Sequence, residues 1–190
     1  MLTTNTSSIL SIDSMTSMEV SLLYYLIKED VCQHHLVKLS FSSFYLTMFG
    51  EIYKSGNSRT LQIEFNNAVN HFEELKLIST VLDSYNCKIV NITELYEEDI
   101  VSFISFRILN EDCYKIFKDL NVAKHIKLKI FKTYMYIITA DYMINDKVLE
   151  CLPDEQACKD LGLSYNTYNK YLKYLEDVAL INWEQTNPYV

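Results

Sequence analysis

The sequence predicts a mostly α protein with short β-hairpins, organised as two similar units in tandem joined by a helical connector. Three observations carry this reading. The 190 residues are 49% hydrophobic yet hold only 3 Gly and 2 Pro. That composition supplies apolar surface for one substantial core or two small ones, and few residues that break helices. The pattern FNNAVNHFEELKLIS, residues 65–79, returns without gaps as YNKYLKYLEDVALIN, residues 168–182, at an offset of 103. Each copy is a helix of period 3.6 that runs into a short β-prone stretch. Finally, LPDEQACKDLGLSYNTYNKYL carries the start and stop signals of two helices in succession.

Taken in order, residues 1–14 contain no Lys or Arg and no long apolar core, so they read as a flexible arm rather than an export signal. MTSMEVSLLYYLIKED then places Met15, Met18, Leu22, Tyr25 and Leu26 on one helical face, with Thr16 or Ser17 available as N-cap. LVKLSFSSFYLTMFGEIY is the second helical candidate, KSGNSR a loop, and the third helix starts near Thr60 and contains the first copy of the repeat. ISTVLDSYNCKIVNI gives two β-prone runs around Asp83-Ser84-Tyr85-Asn86, the pattern of a hairpin. Helix, helix, helix, hairpin resembles the order of a winged helix, and it assigns residues 15–95 to a first winged-helix-like unit.

Residues 96–121 read as the helical connector, with Ile100, Phe103, Ile104, Ile108, Ile116 and Phe117 as buried candidates. The segment IKLKIFKTYMYIITADYMI begins with apolar and Lys residues alternating as in a strand. The spacing of Ile130, Phe131, Tyr134, Ile137, Ile138 and Asp141 favours a helix instead. It opens the second winged-helix-like unit, residues 122–190. In that unit Pro153 suits a first helical position, Asp154 and Glu155 suit the positive end of the dipole, and Gly162 suits a left-handed helix end. Ser164 is placed to cap the next helix, with Leu163 and Tyr168 as a hydrophobic staple. Two helices joined by a short turn around a glycine make a helix-turn-helix across residues 153–177.

This stretch resembles the helix-turn-helix consensus of bacterial, plasmid and phage winged-helix DNA-binding proteins. Cys158 takes the small position four before the turn glycine, and Leu161-Gly162-Leu163-Ser164 match the turn. Thr167, Tyr168, Leu172 and Leu175 follow in register. LEDVALINW is similar to the Leu-Glu-x-x-Gly-Leu-Ile ending of such recognition helices, with Ala179 where a glycine is usual. Two such units in tandem are also similar to plasmid replication initiators. The resemblance implies a sequence-specific double-stranded DNA-binding protein that regulates transcription. The alternatives are a plasmid or phage replication-initiation or partition protein, and a protein-interaction module on a winged-helix scaffold without DNA binding.

A net charge of −8 argues at first against nucleic acid, but the charge is unevenly placed. Six lysines between residues 115 and 132 face one acid, Asp119, and residues 161–175 hold Lys170 and Lys173 with no acid. Beyond about 8 Å distant charges are largely screened, so an acidic protein still attracts phosphate locally. In the major-groove geometry of a recognition helix, Asn166, Asn169 and Lys170 are the base-reading candidates and Lys173 the phosphate contact. Ser164, Tyr165 and Thr167 open that helix, and Lys124, Lys127 and Lys129 are further phosphate candidates. In the first copy the equivalent positions are Ile63, Asn66, Asn67 and Asn70. Should that unit touch DNA, Asn66, Asn67, Asn70, Arg59 and Lys54 are its contacts; the alternative is a protein-binding or dimerisation role.

Other chemistry finds little support. Five cysteines, odd in number and without a C-x-x-C pair, read as reduced thiols of an intracellular protein. The adjacent His34 and His35 would point about 100° apart on a helix and share no metal. No glycine-rich phosphate loop exists, and neither Glu73-Glu74 nor Glu176-Asp177 has a His or metal motif beside it. The expectation is therefore a cytoplasmic, non-enzymatic homodimer without metal, cofactor or membrane span.

Overall fold

The computed structural model describes residues 11–30, 34–54, 58–84, 87–97, 114–144 and 154–181. The expectations for the start of the N-terminal arm, for Ile100, Phe103, Ile104 and Ile108 and for Pro153 lie outside them. The chain divides into two compact units, Met1–Asn110 and Glu111–Val190. The described residues are mostly helical, with one small three-stranded antiparallel sheet.

In the first unit, helix α1, Ser17–Glu29, starts on a full capping box. The Glu19 N–H donates to Thr16 Oγ1 (3.2 Å) while the Thr16 N–H donates to Glu19 Oε2 (2.6 Å). Two of the amides that a helix start leaves orphaned are thereby satisfied. Residues 18–27 are all buried, so burial runs around the whole helix and not along the single face of Met15, Met18, Leu22, Tyr25 and Leu26. Helix α2, Phe41–Phe49, helix α3, Arg59–Glu74, and strand β1, Leu36–Leu39, all pack on α1. Glu19 also bonds through Oε1 to His71 Nδ1 of α3, tying the start of one helix to the last turn of another.

Strand β1 corrects the sequence reading, which ran LVKL into the second helix. Four residues are too few to separate a period of 2 from one of 3.6, and the decision is made by pairing with a distant segment. The hairpin expected around residues 83–86 is present as β2, Ser79–Ser84, and β3, Cys87–Asn91. Strand β3 lies in the middle, giving the order β1-β3-β2. Val37 pairs with Val90, and Thr80 pairs with Val90 from the other side. In β1, Val37 and Leu39 are buried and Leu36 and Lys38 exposed, the alternation expected of a strand with one wet face, whereas the edge strand β2 is exposed along its whole length.

The entry into β1 is held by a buried carboxylate. Asp30 Oδ1 accepts from the His35 N–H (3.0 Å), and Asp30 Oδ2 meets both His35 Nδ1 (3.0 Å) and the Tyr96 hydroxyl (2.9 Å). The His35 and Tyr96 rings lie 4.6 Å apart, and His35 has φ 56°. His35 thus has a structural role, and it lies in the bend before β1 rather than on the helix the sequence reading assumed. Burial, helped by the hydrogen bond and the negative charge of Asp30, pushes the Tyr96 phenol from 10.0 up to about 12. Between those two values the folded chain keeps a proton that the unfolded chain releases, so this contribution is complete below pH 10 and is lost as pH rises through about 12. A phenolate absorbance titration should show Asp30→Asn moving Tyr96 back towards 10; an identical alkaline curve would count against the clamp.

The two copies of the repeat end in the same backbone geometry. At the end of α3 the Leu77 N–H donates to the Phe72 carbonyl (2.9 Å) and the Lys76 N–H to that of Glu73 (3.0 Å). At the offset of 103, Leu180 donates to Leu175 (2.9 Å) and Ala179 to Glu176 (2.8 Å). Both are Schellman closures, which satisfy the last carbonyls by turning one residue left-handed. Those residues are Lys76, φ 61°, and Ala179, φ 55°. A Cβ is disfavoured there, so Lys76→Gly and Ala179→Gly should each stabilise the chain by about 0.5–1 kcal/mol, read as a rise in urea midpoint. A fall would show that the helix ends are held otherwise.

The second unit contains helices α4, Tyr114–Lys118, α5, Lys124–Ile144, α6, Asp154–Leu161, and α7, Tyr165–Asp177. No strand occurs among its described residues. The Lys-alternating start of α5 is helical, as Ile130 and Phe131 implied. Leu128, Ile130, Phe131, Thr133, Met135 and Tyr136 are buried around its circumference, so α5 is the central element. It packs on α4 through Phe117 and Phe131, whose rings are 5.1 Å apart, and also on α7. The Tyr136 hydroxyl donates to Asp160 Oδ2, joining α5 to α6.

Candidate nucleic-acid interface

Helix α6 ends where the sequence places its stop. Gly162 has φ 63°; its N–H donates to Lys159 (3.2 Å), and the Leu163 N–H donates to Cys158 (2.9 Å). This is a third Schellman closure, with glycine in the left-handed position. A Cβ at Gly162 would meet nothing within 4 Å, so the requirement for glycine is conformational rather than steric. Ser164 then caps α7, accepting from the Thr167 N–H (3.3 Å), and the Ser164 and Thr167 hydroxyls lie 2.8 Å apart. Two helices are therefore joined by Gly162, Leu163 and Ser164 alone.

Helix α7 is sharply two-sided. Tyr168, Tyr171, Leu172 and Leu175 are buried, whereas Tyr165, Asn166, Lys170 and Lys173 are exposed. The tyrosines at every third position consequently have different roles. Two belong to the core, Tyr165 is 50% exposed at the helix start, and Tyr174 lies beneath Lys170, whose Nζ is 5.7 Å from the ring centroid. That cation–π contact limits the sweep of Lys170 while leaving its charge at the surface.

Asn169 does not stand with these residues. It is partly buried, and its Oδ1 lies out of solvent without a hydrogen-bond partner among the described residues. Consecutive helical residues point about 100° apart, so Asn169 falls at the border of the core while Lys170 faces outward. The lysines of the preceding segment also fail to form one cluster. They belong to two helices, and on α5 they are spread around the axis. Lys127 Nζ donates to the Phe117 carbonyl (2.6 Å), so its charge closes α4 instead of projecting outward. Lys124 is partly buried, and Lys129 is exposed.

Arg59 and Asn66 lie in the other unit, both exposed on α3. Beside α3, Glu73 receives Lys88 Nζ (3.3 Å) and the Thr80 hydroxyl, which fastens the hairpin to the helix. Sequence reasoning missed this link because it depends on the register of the hairpin against α3. Cys87 and Cys158 are free thiols, and burial together with Asp154 pushes the Cys158 thiol up, away from a reactive thiolate. Among the described residues no group of three His, Cys, Asp or Glu is placed to hold a metal, and no helix is long and apolar enough to cross a membrane. No protein-family model, curated protein or solved structure matches the chain.

Proposed function

We propose that the chain is a sequence-specific double-stranded DNA-binding protein, built from two winged-helix-like units, that acts in transcription regulation without catalysing a reaction. The observation that carries this reading is the α6–Gly162–Ser164–α7 arrangement, which leaves Asn166, Lys170 and Lys173 exposed on the helix following the turn. A helix presented in this way fits the major groove, where Asn bonds bidentately to adenine and Lys reaches guanine acceptors or phosphate. The first unit supports the winged-helix reading by its order of helix, strand, helix, helix and hairpin, and by its strand order β1-β3-β2. The shared helix endings at the offset of 103 support two copies of one design. A homodimer on a two-fold site, in the cytoplasm, completes the proposal.

A salt titration of duplex binding by the full chain tests it. A linear fall of log affinity with log salt is expected, because displaced counterions dominate such binding. Absence of salt-dependent binding to any duplex would end the reading. The alternative of a protein-interaction module draws on the first unit, which carries 13 acids against 7 bases. That unit also exposes Leu36, Leu46, Ile52, Ile63, Val81 and Leu82.

A further inference from the structure

We infer that α3 reads bases in an A·T-rich stretch of the duplex, supplying composition preference while the lysines of α7 supply attraction to phosphate. This rests on the duplex-binding proposal above and assigns a task to the unit whose acidity argues against phosphate binding.

Ile63, Asn66, Asn67 and Asn70 are all exposed on α3, opposite the buried Leu61, Phe65, Ala68, Val69 and Phe72. The amides of Asn66, Asn67 and Asn70 make no hydrogen bond among the described residues, so their donors and acceptors are free. Ile63 stands among them 51% exposed, an apolar side chain on a polar face. An asparagine amide matches the N6 donor and N7 acceptor of adenine, and an aliphatic side chain matches the thymine methyl.

No lysine lies on α3, and its one arginine, Arg59, is the first residue of the helix, placed for phosphate rather than for guanine edges along the face. Two exposed acids border this surface, which is why phosphate attraction is left to α7. Glu64 lies about 60° from Asn67 and Glu74 about 40° from Asn70, whereas Glu73 is engaged by Lys88 and Thr80. The shared closure of α3 and α7 places Ile63, Asn66, Asn67 and Asn70 at positions equivalent to Asn166, Asn169, Lys170 and Lys173. At two of these pairs, Asn67 with Lys170 and Asn70 with Lys173, one helix carries a free amide where the other carries a cation.

The test compares binding of the full chain to alternating A·T and alternating G·C duplexes of equal length at one salt concentration. The wild type should favour the A·T duplex by about tenfold or more, the discrimination expected of one or two bidentate amide contacts. Asn66→Ala with Asn70→Ala should bring the two affinities close to parity without changing the salt slope. Alanine is the better helix former, and circular dichroism checks that the fold is kept. Replacing thymine by uracil should weaken the wild type several-fold and leave Ile63→Ala indifferent. Equal wild-type affinity for both duplexes, with salt dependence intact, would overturn this inference and leave DNA binding standing. A preference that survives the double substitution would also overturn it, and loss of all duplex binding would overturn both readings.

Discussion

Lys170→Glu combined with Lys173→Glu is expected to weaken duplex binding by about 100-fold or more and to lower the salt slope by about 2. Both side chains are exposed on α7, and neither forms an ion pair among the described residues. Reversal therefore removes two cations and places two anions beside phosphate, with no internal salt bridge to break. Lys170→Gln with Lys173→Gln should produce the same loss of slope with a smaller loss of affinity, because the added repulsion is absent. These positions lie on the helix face opposite Tyr168, Tyr171, Leu172 and Leu175, so unfolding should be unchanged within about 0.5 kcal/mol. A mobility shift across a salt series checks both quantities. Equal binding by wild type and double variant would remove α7 from the interface even if the protein binds DNA.

Phe72→Ala should destabilise the first unit by about 3–5 kcal/mol, seen as a large fall in the urea midpoint. The side chain is 0% exposed and occupies the buried face of α3. Its removal leaves a cavity where Leu77 and Ile78 fold back, since both of their N–H groups reach the Phe72 carbonyl. A domain of this size has only about 5–15 kcal/mol of stability, so the loss consumes a large share of it. Leu175→Ala at the equivalent position of α7 should cost about 2–5 kcal/mol in the second unit. A fall below about 1 kcal/mol for Phe72→Ala would show that the end of α3 does not seal this core.

Much of the local structure was legible because short-range chemistry dictates it. Gly162 and Ser164 announce a stop and a start within three residues, and the closure and the cap both form there. Thr16 is one of two N-cap candidates for α1, and the structure selects it and adds Glu19 as the other half of a capping box. The repeat was legible too, and the structure adds equivalent left-handed residues at Lys76 and Ala179. Wherever one face of an amphipathic helix had to be buried, periodicity identified it, as for Tyr168, Tyr171, Leu172 and Leu175.

What the sequence by itself determined is the set of signals that act within one or two turns: caps, closures, the amphipathic faces of α3 and α7, and the hairpin. Tertiary structure decided the rest, because those choices depend on partners far along the chain. LVKL became a strand because β3 offers it a ladder, and α1 became buried on every side because α2, α3 and β1 all pack on it. Lys127 turned to the Phe117 carbonyl, and Asn169 settled at the edge of the core. For LVKL, α1 and Lys127 the local pattern is compatible with more than one outcome, and contact with another segment selected one.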